Sequence, residues 1–201
     1  MRISLTSLLL VWIMSCSAQI EKGSIAAGGN IGLSSQKDPN QSIFKFSLAP
    51  DVLFFAAKNF ALGPKVGYAL STRKPKATTT TDLTQDFFIG PNLRYYFKLS
   101  DNVYAFMGAS VFYATGKYKQ LQSTSNLSQV YYGVSWEAGP GLSIFPAKNI
   151  SVEIAPQYRG SYITDAIKNS TGTIGTPTST TTHGFFLEIG FRYFFRKTAK
   201  V

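Results

Sequence analysis

His183 is the one histidine of the chain, and Ser161, Ser170 and Ser179 lie near it in sequence. A serine beside a histidine, oriented by a carboxylate, is what acyl transfer needs, because the imidazole takes the proton from the hydroxyl nucleophile. His183 stands in TTTHGFF, where a long polar stretch meets an aromatic segment, and no motif surrounds it. The expectation is an exposed residue near a rim, and no catalytic, cofactor or metal site is assigned. Cys16 is the only cysteine, so an intrachain disulfide is impossible and no thiol-based metal or redox chemistry is expected.

The other reactive groups are charges set singly into apolar segments: Lys45, Asp51, Lys65, Arg94, Glu137, Glu153, Arg159, Glu188 and Arg192. Five are positive and four negative, and each recurs at the alternate positions that a strand turns to one face. Their meaning depends on the elements that hold them. Almost no run has the helical period; aromatic-rich segments alternate with breaks, which is an all-β plan. Candidate strands are 23–34, 42–56, 60–72, 84–98, 102–116, 130–145, 149–163 and 184–195.

The breaks alternate in kind. AAKN, LSDN and PAKN are tight turns, whereas the stretches around QKDPN, KPKATTTTDL, KYKQLQSTSNLSQ and TDAIKNSTGTIGTPTSTTTHG are long and polar. Short turns on one side and long loops on the other suit an antiparallel up-and-down transmembrane barrel with periplasmic turns and extracellular loops. FFAAKNFALGPKVGY and IFPAKNISVEIAPQY repeat as hairpin units, with YYFKLSDNVYAFMGA a weaker copy. The N-terminus, with Arg2, an apolar run and small residues ending at Ala18, reads as a secretory signal over 1–18, leaving a barrel domain over 19–201. Cleavage after Ala18 is preferred to lipidation of Cys16.

Parity sorts the faces. Pro50, Pro64, Pro91, Pro140 and Pro156 share the apolar face of their strands, and the nine charges share the other. Each proline follows a glycine or alanine, Ala49, Gly63, Gly90, Gly139 or Ala155. Since proline has no N–H for a ladder, a bulge or strong coiling is expected at each, at roughly one height. The fifth strand has two largely apolar faces and its orientation stays open. An eight-stranded barrel has an interior that side chains can fill. Charges turned inward there predict a salt-bridge network, with Arg94, Arg159, Tyr96 and Phe194 helping to plug it. A secreted lipocalin-like barrel would instead turn the apolar face in. Aromatics near strand ends, Phe54, Phe55, Phe97, Phe145, Phe194 and Phe195, favour an interfacial girdle and hence the membrane form.

FFIGPNLRYYF, EAGPGLSIFPAKNISVEIAPQY and the start AQIEKGSIAAGGNIGLS resemble the outer-membrane β-barrel proteins of the OmpA/OmpX-like superfamily, in the porin-like form common in Bacteroidetes. The resemblance spans the expected mature chain. It implies an integral outer-membrane location and the eight-stranded fold, and no particular activity. No peptidoglycan-binding domain is expected after Phe195.

The formal charge of +10 rests on lysines and arginines at both ends of the strands. For an exported barrel this points to outer-membrane lipid and lipopolysaccharide phosphates as partners, not to nucleic acid. A surface ligand would be met through the Thr/Ser-rich stretches 73–83, 117–129 and 164–183, which read as mobile cover. The sequence therefore leads to a monomeric outer-membrane barrel with a structural or adhesive role. A narrow porin is second and a lipid A-modifying enzyme third.

Overall fold

The computed structural model describes residues 20–37, 40–76, 81–121, 126–167 and 178–195. The expected signal segment, Cys16 and Ser170 lie outside the described residues. The strands are β1 (Ile25–Lys37), β2 (Gln41–Ala57), β3 (Phe60–Pro75), β4 (Thr81–Lys98), β5 (Val103–Leu121), β6 (Asn126–Ala147), β7 (Ile150–Ile167) and β8 (Thr178–Phe195). Each pairs antiparallel with the next, and β1 pairs with β8 to close the barrel.

The strands outrun the expected ones at their loop ends. Thr81–Leu83, Lys117–Leu121, Asn126–Gln129, Thr164–Ile167 and Thr178–His183 are ladder, not loop cover. Threonine is β-branched and suits a pleated surface even where composition looks like a linker. Cross-strand hydroxyl pairs add to this: Ser161 with Thr182 at 2.7 Å and Thr164 with Ser179 at 3.2 Å. With 13 to 22 residues each, the strands exceed the roughly 9–11 that a tilted membrane crossing needs. The excess stands on the loop side.

Inside and outside follow from exposure. Large apolar side chains cover the outer wall, among them Phe44, Leu48, Tyr68, Phe87, Ile89, Trp136, Ile154 and Phe191. Asp51, Lys65, Arg94, Glu137, Glu153, Glu188 and Arg192 are buried. That is the reverse of a lipocalin and the pattern of a barrel solvated by lipid. The open orientation of β5 is settled too: Tyr104, Phe106, Ser110 and Phe112 are buried, while Met107 and Val111 are exposed.

The turn side explains the internal repeat. The Asn59 carbonyl accepts the Tyr96 N–H at 2.8 Å, that of Asn102 accepts Phe145 N–H at 2.8 Å, and that of Asn149 accepts Phe194 N–H at 2.7 Å. Ser24 does the same for Phe55 at 3.0 Å. Each hairpin thus ties the inward aromatic of its second strand to the turn or lead-in before it. Asn59 adopts φ 67°, a left-handed turn conformation that asparagine tolerates. The four anchored rings meet at the barrel floor, with centroids 5.7 Å apart for Phe55–Tyr96, 6.1 Å for Phe55–Phe194 and 5.0 Å for Phe145–Phe194. Ile20, Leu53, Tyr104 and Phe106 complete this apolar cluster. Phe55, Phe145 and Phe194 are therefore not girdle residues. They lie inside, since each shares parity with the inward charges of its strand, and only Phe54, Phe97 and Phe195 of the expected girdle are exposed.

The prolines point outward as expected, but the bulges do not occur. The register is unchanged on either side of every proline, and its shifts fall at the turns, between Phe55 and Ala57 and between Ile144 and Ala147. Pairing is kept on one side of each proline and interrupted on the other: Pro64 pairs with Pro91, for example, while the β4–β5 ladder skips Gly90 and Pro91. Antiparallel residues alternate between bonding one neighbour and the other, so a proline forfeits one donor on one side only. By register, Pro140 and Pro156 face each other across the gap in β6–β7, which puts two lost donors in one place. At Pro64, Pro91 and Pro140 what absorbs the loss is the preceding glycine, while Pro50 and Pro156 follow alanines. A methyl group on Gly63, Gly90 or Gly139 would overlap the carbonyl oxygen of Val52, Val111 or Pro156, the residue opposite the proline. The acceptor left without a donor packs against the bare glycine Cα, a place for a weak Cα–H···O contact.

Candidate functional site

Eight of the nine expected charges form two clusters, stacked along the axis above the aromatic floor. In the lower one Arg192 holds Asp51 at 2.5 Å and Glu153 at 3.2 Å, and Arg94 holds Glu153 at 2.6 Å and Asp51 at 3.7 Å. The upper one joins Lys65 to Glu137 at 2.6 Å and Glu188 at 3.5 Å, and Arg159 to Glu137 at 2.7 Å and Glu188 at 2.6 Å. Each is a neutral quartet of two cations and two carboxylates, every cation touching both carboxylates. Buried charges are tolerated only when paired and hydrogen-bonded, and this closed arrangement meets that demand.

Neutral polar groups finish the network. Asn92 donates to Asp51 at 2.8 Å, and Ser110 donates to Asn92 at 3.2 Å. Ser143 donates to Glu153 at 3.4 Å, and Asn30 donates to Glu188. Aromatic faces bracket the layers: Arg94 lies 4.7 Å from the Phe106 centroid, and Arg159 lies 4.9 Å from that of Phe186. Asn30, Asn92, Ser110 and Ser143 are not among the expected site residues; the parity of Arg94 and Glu137 places Asn92 and Ser143 on the charged face, whereas Asn30 lies in a strand without any of the nine charges and Ser110 in the strand whose orientation alternation left open.

Lys45 is the exception. It points inward by parity but is exposed toward the loop side and has no ion-pair partner among the described residues. The quartets are complete without it, so a fifth cation would leave the layer unbalanced.

Space inside is correspondingly small. A cavity of about 10 Å³ remains among Lys65, Asn92, Arg94, Glu137 and Glu188, room for about one water. Above the upper quartet the interior opens into a vestibule of about 250 Å³ lined by Thr84, Tyr118, Tyr131, Ser161, Ile163, Thr180 and Thr182. The Tyr131 hydroxyl donates to Asp86 beside it.

His183 does not join Ser161. It lies in β8 opposite Gly160 and faces outward, its ring 6.2 Å from that of Tyr158. Ser161 faces the vestibule, opposite Thr182. Ser179 shares the outer face with His183 but stands four residues along the strand, about 13 Å away.

No family model matches the chain, and no curated protein matches it. Solved structures do. The outer membrane protein OprG from Pseudomonas aeruginosa superposes with a TM-score of 0.60 at 15% identity, over 91% of this chain and 100% of that one. A major outer membrane protein from Thermus thermophilus gives 0.55 at 13% identity, over 87% of this chain and 100% of that one. In its closed antiparallel sheet of eight strands, its outward apolar wall and its likeness to these two structures, the chain has the fold of an outer-membrane β-barrel, as its sequence resemblance implies.

Proposed function

We propose that the chain is an integral outer-membrane barrel whose interior is a structural brace, not a passage, and whose role is exercised at the loop-side surface as a structural or adhesive protein. One observation carries this reading: two neutral charge quartets stand on a floor of packed aromatic rings, with a cavity of only about 10 Å³ among the charges. A solute entering the vestibule meets eight mutually paired charges and then a layer of rings. Export through the N-terminal signal and association with lipopolysaccharide belong to the same reading.

A narrow ion path is the second reading, favoured by the fact that Lys65 and Arg159 each already touch two carboxylates and could exchange partners. Lipid A modification has less to stand on, because His183 and Ser161 lie on opposite faces of the wall. Planar-bilayer recording of the wild type and of Glu137→Gln separates the first two readings. The brace predicts no steady current in the wild type; a current that appears only in Glu137→Gln identifies the quartet as the closing element. Steady wild-type conductance would transfer the assignment to the porin.

A further inference from the structure

The charges on the outer wall are distributed unevenly. Lys74, Lys117 and Lys119 are exposed, lie at outward positions of β3 and β5, and have no ion-pair partner among the described residues. The strand between them presents Leu83 beside Lys119 and Gln85 beside Lys117. Gln85 is held in place by donating to the Tyr68 hydroxyl at 3.0 Å. In the strands, every carboxylate whose side chain is described points inward or to the vestibule, so among the described residues nothing on this wall neutralises the three lysines. The corresponding stretch of β7 and β8 carries Thr164, Ser179 and Thr181 instead.

Height gives the patch its meaning. Tyr68 pairs with Phe87, and Phe87 with Thr115; Lys117 and Lys119 stand two and four residues further toward the loops. Below that row the wall is apolar, with Ile89, Tyr113 and Val134 side by side. At about 3.4 Å per residue Lys117 and Lys119 lie about 7 and 14 Å along the strand past the aromatic row and Lys74, six residues beyond Tyr68, about 20 Å past it, so the three step up through the headgroup level if the apolar band spans the membrane. The three ammonium groups sit on long stems over a surface about two strand spacings wide and about four residues tall, so together they can reach two separated phosphates of one headgroup. From this we infer a binding site for one lipid of the outer leaflet. Its acyl chains would lie against Tyr68, Phe87 and Tyr113, and its two phosphates would be held by Lys74, Lys117 and Lys119. This rests on the membrane reading above and makes lipid contact specific to the β3–β5 face.

Native mass spectrometry of the detergent-solubilised full chain tests it, with doubly phosphorylated lipid A, its dephosphorylated form, phosphatidylcholine and inorganic pyrophosphate offered separately. The wild type should retain one lipid A selectively over the other three, and Lys74→Gln/Lys117→Gln/Lys119→Gln should weaken retention at least about tenfold. The turn-side triple Lys58→Gln/Lys98→Gln/Lys148→Gln should leave it unchanged. Equal loss in both triples, or none in the loop-side triple, overturns the site. Equal capture of pyrophosphate overturns the lipid assignment. Heat-dependent gel mobility of the same samples reports folding separately. Recovery of the wild type outside the outer-membrane fraction would sink the membrane reading, whereas a folded, correctly located barrel indifferent to lipid A sinks the site alone.

Discussion

Arg192 touches both Asp51 and Glu153 at the centre of the barrel, so truncating it leaves two buried carboxylates short of a cation. Breaking a buried pair in this way costs about 3–5 kcal/mol, and Arg192→Leu should lower the urea midpoint of the folded band accordingly. Lys45→Gln serves as the control and should move the midpoint far less, because Lys45 stands outside both quartets and acts only through space on Asp86. A second contrast separates two glycines. Gly90→Ala would drive a methyl into the Val111 carbonyl, while at Gly108 the nearest atoms to a new Cβ are 3.8–3.9 Å away. Denaturant titration should show a loss of about 1–3 kcal/mol for Gly90→Ala and little change for Gly108→Ala; equal effects would remove the account of the Gly–Pro steps. Eight of the nine charges are legible from alternation alone. Lys45 is not, since parity gives a side chain's face but not its depth along the axis, and depth decides whether a charge needs a partner.

At the scale of elements, the aromatic that closes each hairpin is bound to the turn or lead-in before it, and Phe194→Ala would remove a ring from the floor. A loss of about 3–5 kcal/mol is expected, read as a lower transition temperature in the heat-mobility gel. The β1–β8 junction makes a different prediction. Among the described residues β1 pairs with β8 from Ile25–Phe195 to Ile31–Ile189, so from Thr178 to Glu188 the described ladder partner of β8 is β7 alone. The most exposed apolar side chains of the strands flank this seam, Phe185 at 83% and Leu33 at 70%. Hydrogen exchange along Thr178–Glu188 should alternate, amides facing β7 protected and those facing β1 exchanging far faster; uniform protection would mean the seam is covered. Strand order, direction and number are readable because tight turns alternate with long polar stretches. The strand ends are not: Thr178–His183 has a linker's composition and a strand's stereochemistry, and Lys117–Leu121 and Asn126–Gln129 are polar enough to read as loop. The floor is legible in part, since Tyr96 and Phe194 are expected to plug the interior and are buried there, but nearness to strand ends also puts Phe55, Phe145 and Phe194 in a girdle, although their parity already places them with the inward charges.

For the molecule as a whole, alternation separates two faces but cannot say which one meets lipid. The structure decides it through exposure, with rings and branched side chains outside and paired charges within. The closed interior, the proposed headgroup site and the surface role all depend on that choice. The chain carries its own reporter, because Trp136 is the one tryptophan beyond Trp12 and sits on the outer wall against Tyr158, ring centroids 5.5 Å apart. With Trp12→Phe in the refolded full chain, fluorescence can be recorded in bilayers whose acyl chains carry bromine at graded depths, with aqueous acrylamide as the counter-quencher. Strong quenching by brominated chains and weak quenching by acrylamide is the result expected of an apolar wall facing lipid. A Trp136 indifferent to bromine and open to acrylamide would contradict it.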